Sequence, residues 1–326
     1  MQVTALEWVI TCLVILGLFV FDFFAHVRTP HEPTFKESGF WSAVYIGLAL
    51  LFGLFVAWKW GGTFAGEYYA GFVTEKALSV DNLFIFLIIM STFAVPRIYQ
   101  QKVLLIGIVL ALVMRGAFIA VGAAAISAFS WVFYLFGAFL IYTAINLLRE
   151  SGHEVEHEQQ RDSRIVALAK RILPTTDQYD GDKLVTRIDG KRVVTPLLLA
   201  LLAIGFADLL FALDSIPAIY GLTEQPYLVF TANAFALMGL RQLYFLIGGL
   251  LDRLVYLSYG LAAILAFIGV KLVLHALHEN TLPFINGGEH VSVPEISTPM
   301  SLSVIIGILI VATVASLLKT RRTTSS

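Results

Sequence analysis

The chain has 326 residues, of which 58% are hydrophobic and 14% are charged, whereas soluble domains average about 25% charged residues. This composition excludes an ordinary soluble protein and predicts a membrane protein. The single cysteine excludes a disulfide scaffold and thiol redox chemistry, and the net charge of −1 gives no indication of a nucleic-acid partner.

Nine apolar stretches have roughly the 20 residues that an α-helix needs to cross a bilayer. They lie at about 5–26, 40–60, 68–95, 102–125, 127–148, 196–219, 228–250, 254–277 and 300–318. The sequence therefore predicts an all-α polytopic membrane protein with about nine transmembrane helices, forming a single transmembrane domain over residues 1–326.

Lysine and arginine residues concentrate in the loops on one side of these stretches. With the N-terminus outside, 17 of the 22 fall on the cytoplasmic side. Because cytoplasmic loops collect basic residues, we expect the N-terminus outside and the C-terminus in the cytoplasm.

One connecting segment, 149–195, is long and holds 18 of the 45 charged residues of the chain. We expect it to be a cytoplasmic loop and a possible docking site for a cytoplasmic partner. Asp189-Gly190 suits a tight turn, so a hairpin is predicted between the apolar pairs 184–185 and 193–194. Thr195-Pro196 is typical of a helix N-cap followed by a first-turn proline.

Two predicted helices carry the same polar pattern, in which a second acid follows the first by six residues and a polar residue comes directly after it. The pattern comprises Glu75, Asp81 and Asn82 in the third helix, and Asp208, Asp214 and Ser215 in the sixth. The following helices also match, because Arg115 precedes Gly122 by seven residues and Arg241 precedes Gly248 by seven.

These matches predict two related three-helix repeats, 68–148 and 196–277. Because three is odd, the second repeat crosses the membrane in the opposite sense to the first. Inverted repeats are typical of secondary transporters, whose binding site lies near the midplane between the repeats.

A carboxylate inside the membrane costs about 2.5–3.5 kcal/mol, so its presence favours function over packing. We therefore interpret all four acids of the repeated pattern as functional, with Arg115 and Arg241 as supporting charges that neutralise them. Three other charges are interpreted as snorkelling or interface residues near helix ends: Lys76, Lys271 and Asp22.

Six residues along an unbroken helix separate two side chains by about 120° around its axis. Either the helix unwinds between the two acids, or each acid meets a partner from the other repeat. Pro217 favours unwinding in the sixth helix, because it provides no N–H for the carbonyl of Leu213.

The polar side chains of the two patterns offer hard oxygen ligands, which suit Mn²⁺, Mg²⁺ or Ca²⁺. The predicted ligand set is Glu75, Asp81, Asn82, Asp208, Asp214 and Ser215. Carboxylates that face one another in a low dielectric need a cation or protons, so the pattern predicts proton-coupled cation exchange.

Three motifs of this chain are Glu75-Lys-Ala-Leu-Ser-Val-Asp-Asn-Leu-Phe, Asp208-x5-Asp214-Ser-Ile-Pro-Ala, and Phe230-x2-Asn233-x-Phe-Ala-x2-Gly239-Leu-Arg241. They resemble motifs of the TerC/Alx family of bacterial integral membrane proteins, within the LysE superfamily. The resemblance implies an inner-membrane (plasma-membrane) protein, linked by name to tellurium resistance, with members implicated in Mn²⁺ export. It also places the family's acidic residues at Glu75, Asp81, Asp208 and Asp214.

Many members of the family carry a glutamate three residues before the second repeat's first acid, and this chain has Gly205 there. One acidic ligand is thus absent. No tightly bound cofactor is expected, and Mn²⁺ is expected as the transported substrate.

Two other functions remain open at this point. Arg115 and Arg241 could bind an oxyanion such as tellurite, although four acids against two arginines argue against this. The protein could also be a membrane scaffold for stress proteins that dock at 149–195, and it could form a homo-oligomer.

An intramembrane hydrolase is disfavoured, because no Ser/His or metal-ligating His pair stands within a predicted helix. We therefore expect the protein not to be an enzyme.

The charge bias makes a topology prediction. A reporter fused after residue 170 should be cytoplasmic, and one inserted near residue 286 should be external, as measured by paired activity reporters. Finding both on one side would remove the odd number of helices between them, and the inverted repeat with it.

Overall fold

The computed structural model describes residues 1–27, 31–129, 131–150, 174–176, 178–188, 190–247, 256–280, 282 and 285–323. Its helices are α1 (Ala5–Asp22, continued by a π-helical turn, Phe23–Val27), α2 (Phe35–Trp60), α3 (Gly62–Thr92), α4 (Arg97–Ala128), α5 (Val132–Glu150), α6 (Pro196–Tyr220), α7 (Pro226–Leu237), α8 (Leu240–Ile247), α9 (Leu257–His278) and α10 (Thr298–Thr323). Strands β1 (Val185–Ile188) and β2 (Lys191–Val194) form one hairpin.

Seven of the described helices are long and apolar enough to cross a membrane: α1, α2, α4, α5, α6, α9 and α10. Helix α3 has 31 residues, but charged side chains interrupt its apolar sequence at Glu67, Glu75, Lys76 and Asp81. The expectation of an all-α polytopic membrane protein is therefore confirmed.

The apolar stretch at 228–250 was expected to form one helix, and this was wrong. It breaks between α7 and α8 at Met238 and Gly239, where Gly239 has a φ of +77° that favours glycine. Lys76 Nζ donates to the carbonyls of Ala236 at 2.9 Å and Met238 at 3.3 Å, at the buried C-terminal end of α7. Lys76 therefore caps a broken helix, and its interpretation as a snorkelling residue was also wrong.

The predicted hairpin is confirmed, with Val185 opposite Val194 and Ile188 opposite Lys191. Thr195 is the N-cap residue of α6, and its hydroxyl donates to the carbonyl of Lys183 at 2.8 Å. The rest of the long loop, 151–173, lies outside the described residues.

An ion pair attaches this hairpin region to the helices. Lys102 Nζ, near the start of α4, lies 2.6 Å from Asp182 Oδ2. This hydrogen bond lowers the pKa of the Asp182 carboxyl.

Glycines let two helices approach closely where α5 crosses α9. A Cβ on Gly137 would lie 2.8 Å from the carbonyl oxygen of Gly269, and one on Gly269 would lie 2.9 Å from that of Gly137. Small residues at helix crossings allow this backbone contact within membranes.

This crossing predicts a position-dependent effect of alanine. Gly137→Ala should lower the free energy of unfolding by about 1–3 kcal/mol, because the new methyl group meets backbone that cannot rotate away. Gly307→Ala in α10 is the control, since a Cβ there meets nothing within 4 Å. Thermal unfolding in detergent measures both, and equal behaviour of the two variants would contradict the close crossing.

Candidate functional site

A completely buried arginine lies between three helices. Arg115 of α4 is 0% exposed and forms a fork with Asp208 of α6, through Nε to Oδ2 at 3.0 Å and Nη2 to Oδ1 at 2.9 Å. Its third nitrogen, Nη1, donates to Glu75 Oε1 of α3 and to Ser215 Oγ of α6 at 3.2 Å. These four residues are called the Arg115 cluster below.

The Arg115 cluster lies near the midpoints of α3 and α6. Asp208 lies halfway along α6, and Glu75 lies close to the middle of α3. Two glycines of α4 flank Arg115 along the contact with α6. A Cβ on Gly107 would lie 3.0 Å from Ile204 Cγ2, and one on Gly122 would lie 3.0 Å from Tyr220 Cε2. The small residues thus hold α4 against α6 on both sides of the arginine.

The charges of the cluster do not balance. Two carboxyl groups surround one guanidinium at a place without exposed surface, so one excess negative charge remains when both acids are ionised. Burying an unbalanced charge is costly unless a cation or a proton neutralises it. The arrangement therefore favours uptake of positive charge.

Several buried polar atoms at this level of the structure lack partners among the described residues. They are Glu75 Oε2, Ser79 Oγ, Thr74 Oγ1 and both amide atoms of Asn233. Asn233 lies on α7 between two residues that approach α3, since a Cβ on Gly71 would lie 3.4 Å from Ala232 Cβ, and Lys76 binds the carbonyl of Ala236. Thr74 and Asn233 were not predicted as site residues, although an amide within the apolar run of α7 was a signal for Asn233.

Glu75 and Asp208, one acid from each predicted repeat, share Arg115 as a partner without any unwinding of their helices. Both α3 and α6 are continuous between their acids, and α6 runs through Pro217 to Tyr220. The expectation of an unwound sixth helix was therefore wrong. Its alternative, in which acids from different repeats share a partner, describes Glu75 and Asp208.

The other predicted ligands lie apart from the cluster or cannot be placed. Asp214 is half-buried and accepts a hydrogen bond from Thr143 Oγ1 of α5 at 3.1 Å. Asn82 is buried on α3, while the side chain of Asp81, on the same helix, lies outside the described part of the structure. Among the described side chains, no three His, Cys, Asp or Glu residues are grouped to hold one metal ion.

Arg241 was expected to neutralise the acids of the repeated pattern, and this was wrong. Its Nη2 lies 2.7 Å from Asp22 Oδ1 of α1, and its Nη1 donates to Gln101 of α4. Tyr45 of α2 also donates to Asp22, at 2.6 Å. The interpretation of Asp22 as an interface residue was wrong, because it is buried at 6% exposure and balances Arg241.

Gly205 faces a packing contact. A Cβ at this position would lie 3.0 Å from Leu110 Cδ2 of α4. A glutamate there would require Leu110 to move, so the absence of the expected acid fits the close packing of α4 on α6.

The sequence matches the integral membrane protein TerC family over residues 60–324. The chain belongs to the TerC family. It is 54% identical to a membrane protein of Mycobacterium tuberculosis over 317 residues, which cover 97% of this chain and 80% of that protein. No solved structure matches it significantly.

Two relatives with descriptive names also align over most of the chain. The thylakoid membrane protein TERC of Arabidopsis thaliana is 42% identical over 243 residues, which cover 74% of this chain and 62% of that protein. Alx of Escherichia coli K12, whose name describes a membrane-bound redox modulator, is 38% identical over 258 residues, covering 76% of this chain and 78% of Alx.

The cluster geometry predicts that Arg115→Gln is strongly destabilising. Removing the guanidinium leaves two buried carboxylates unpaired, at a cost of about 3–5 kcal/mol, measured as a loss of folded protein on heating in detergent. Adding Asp208→Asn should recover much of this loss. Arg97→Gln is the control, because Arg97 pairs with Glu32 at an exposed site. A single variant as stable as this control would contradict the buried pairing.

Proposed function

We propose that the protein is a transporter, not an enzyme, that exports Mn²⁺ or a similar hard divalent cation from the cytosol in exchange for protons. The observation that carries the proposal is the Arg115 cluster, in which two carboxyl groups share one guanidinium and one oxygen of Glu75 has no described partner. Within it, Glu75 and Asp208 occupy matching positions of the two predicted repeats.

The proposal includes about nine transmembrane helices, of which 68–148 and 196–277 form inverted repeats, with the N-terminus outside the plasma membrane. Two features support this arrangement. Carboxylates from both repeats meet near the helix midpoints, and the seventh predicted helix is discontinuous at Gly239. Transporters with inverted repeats bind substrates at such a midplane, often beside broken helices.

The donor atoms support a hard cation. The unpartnered atoms beside the cluster are carboxylate, hydroxyl and amide oxygens, together with the amide nitrogen of Asn233. Oxygen ligands suit Mn²⁺, Mg²⁺ and Ca²⁺, and soft metals would call for thiolate or thioether. Asp81, Asn82 and Asp214 stay in the proposed ligand set as groups that approach the ion at other steps of transport.

Arg115 has a defined role in this proposal. Its guanidinium balances one of the two acids when no metal is bound, and an arriving cation competes with it for Glu75 and Asp208. A site that exchanges one positive charge for another avoids exposing two bare carboxylates to a low dielectric. Protons serve the same purpose on the return step.

The alternatives receive less support. An oxyanion would have to displace carboxylates from the guanidinium of Arg115, which already makes four hydrogen bonds to three partners. The name of Alx describes a redox role, and thiol chemistry for such a role would need more than Cys12, which is exposed on α1. If the protein is a scaffold that acts through 149–195, removing that loop should abolish its function. If it is a transporter, most of its transport activity should remain after the same deletion.

Transport in proteoliposomes tests the proposal. Glu75→Gln and Asp208→Asn should each abolish Mn²⁺ uptake driven by a proton gradient, because each removes a buried charge while keeping the shape of the side chain. Asp81→Asn and Asp214→Asn should also abolish it. Asp182→Asn is the control, since Asp182 lies in the hairpin region and its side chain is 47% exposed.

Mn²⁺ content of cells gives an independent measurement. Cells that lack the protein should accumulate Mn²⁺ when it is supplied in excess. Unchanged metal content, together with Mn²⁺ uptake that survives Glu75→Gln, would exclude the proposed function.

A further inference from the structure

Four helices surround the Arg115 cluster. Helix α3 packs against α6 and α7, and α4 packs against the same two helices, so α3 lies opposite α4 across a common centre. Arg115 of α4 reaches across this centre to Glu75 of α3. The space between the four helices around these two side chains is called the bundle centre below.

One oxygen of Glu75 is left without a partner in the bundle centre. Oε1 accepts a hydrogen bond from Arg115, whereas Oε2 is buried and has no partner among the described residues. The side chain is 0% exposed, so bulk solvent does not reach this oxygen. A buried carboxylate oxygen is stable only beside a positive charge, a donor or a proton.

Asn233 of α7 is completely buried, and neither its amide oxygen nor its amide nitrogen has a described partner. Two neighbours on α7 show where its side chain points. Ala232 faces α3, since a Cβ on Gly71 would lie 3.4 Å from the Ala232 Cβ. Phe230 faces α4, since a Cβ on Gly116 would lie 3.7 Å from the Phe230 Cε2. Because successive residues are about 100° apart on a helix, Asn233 points between these two directions and into the bundle centre.

The unpartnered amide and the unpartnered carboxyl oxygen also lie at nearly the same depth. Helices α3 and α7 run in the same direction. Along α3, Glu75 follows Gly71 by four residues, and along α7, Asn233 follows Ala232, the contact of Gly71, by one. At about 1.5 Å per residue, the two side chains start about 4–5 Å apart along the axis, which is less than one helical turn.

We propose that Asn233 is a ligand of the transported divalent cation, which binds between its amide oxygen and the unpartnered oxygen of Glu75. The inference rests on the proposed function, and it names a neutral ligand that sets the choice of metal. An amide carbonyl is a hard donor that suits Mn²⁺, Mg²⁺ and Ca²⁺. A neutral ligand also agrees with the lack of three grouped His, Cys, Asp or Glu side chains in the described part of the chain.

This position links the bound ion to the break between α7 and α8. Helix α7 ends at Leu237, about one turn after Asn233. Lys76, the residue next to Glu75, donates to the carbonyls at that end. An ion held by Asn233 and Glu75 therefore joins α3 to α7 directly beside the break.

Mn²⁺ binding to the full-length protein in nanodiscs tests the proposal, with MnCl₂ alone as the probe and electron paramagnetic resonance as the measurement. Asn233→Leu should weaken binding about tenfold or more, because an apolar side chain of similar size removes the ligand oxygen. Thr231→Val is the matched control and should bind like the parent. Thr231 is also completely buried on α7, but it points to the opposite face, and its hydroxyl donates to the carbonyl of Tyr227 at 2.8 Å.

A change of metal preference separates a ligand from a residue that only packs. The test uses a Cys12→Ser background, which removes the single native cysteine. In it, Asn233→Cys should bind CdCl₂ about tenfold more tightly than the background does, because thiolate is a soft ligand. The same variant should bind Mn²⁺ more weakly and show the ultraviolet charge-transfer absorption of a Cd²⁺–thiolate bond. Thr231→Cys, the matched control, should show none of these changes.

Thermal unfolding in detergent checks that each variant is folded, and the cysteine variant decides if Asn233→Leu does not fold. Asn233→Cys without the Cd²⁺–thiolate absorption, or a folded Asn233→Leu that binds Mn²⁺ like its control, would overturn the proposal. The proposed function would then stand if Mn²⁺ binding is still lost on Glu75→Gln. A parent protein that neither binds nor transports Mn²⁺ would overturn both.

Discussion

The buried guanidinium of Arg115 is the constraint on which the rest of the structure depends. A charge at the middle of a membrane helix is tolerated only when charged partners surround it. Asp208 satisfies two nitrogens of the guanidinium in a planar fork, and Glu75 and Ser215 share the third. These bonds fix the register of α3, α4 and α6 against one another.

A second buried arginine, Arg241, differs from Arg115 in the number of its carboxyl partners. Arg241 has one carboxylate partner, Asp22, so the pair is electrically balanced. It attaches α8 to α1, and Gln101 adds a bond from α4. We regard this pair as structural, whereas the Arg115 cluster has two carboxyl groups for one guanidinium and can respond to a cation.

The break between α7 and α8 is linked to the Arg115 cluster through adjacent residues of α3. Glu75 belongs to the cluster, and Lys76, the next residue, caps the carbonyls where α7 ends. Because successive residues lie about 100° apart on a helix, one turn of α3 presents its acid to α4 and its ammonium to α7. A shift of α3 on cation binding would therefore act directly on the end of α7.

Composition and hydropathy alone determined that this is an all-α membrane protein, and turn chemistry determined the hairpin at Gly190 and the start of α6 at Thr195. These features depend on neighbouring residues, which the sequence displays. The repeated pattern also selected Glu75, Asp208, Ser215 and Arg115, because charges within apolar runs are costly and therefore conspicuous.

Only the tertiary structure decided which charges meet. Periodicity assigns a side chain to a face of its helix, but the neighbour of that face depends on how the helices pack. Asp22 therefore pairs with Arg241, 219 residues away in the sequence, and Asp214 accepts a hydrogen bond from Thr143. The position of the helix break also depended on how the helices pack. Pro217 lies in the last turn of α6, where few hydrogen bonds remain to be lost, whereas the break at Gly239 is supported by the distant ammonium of Lys76.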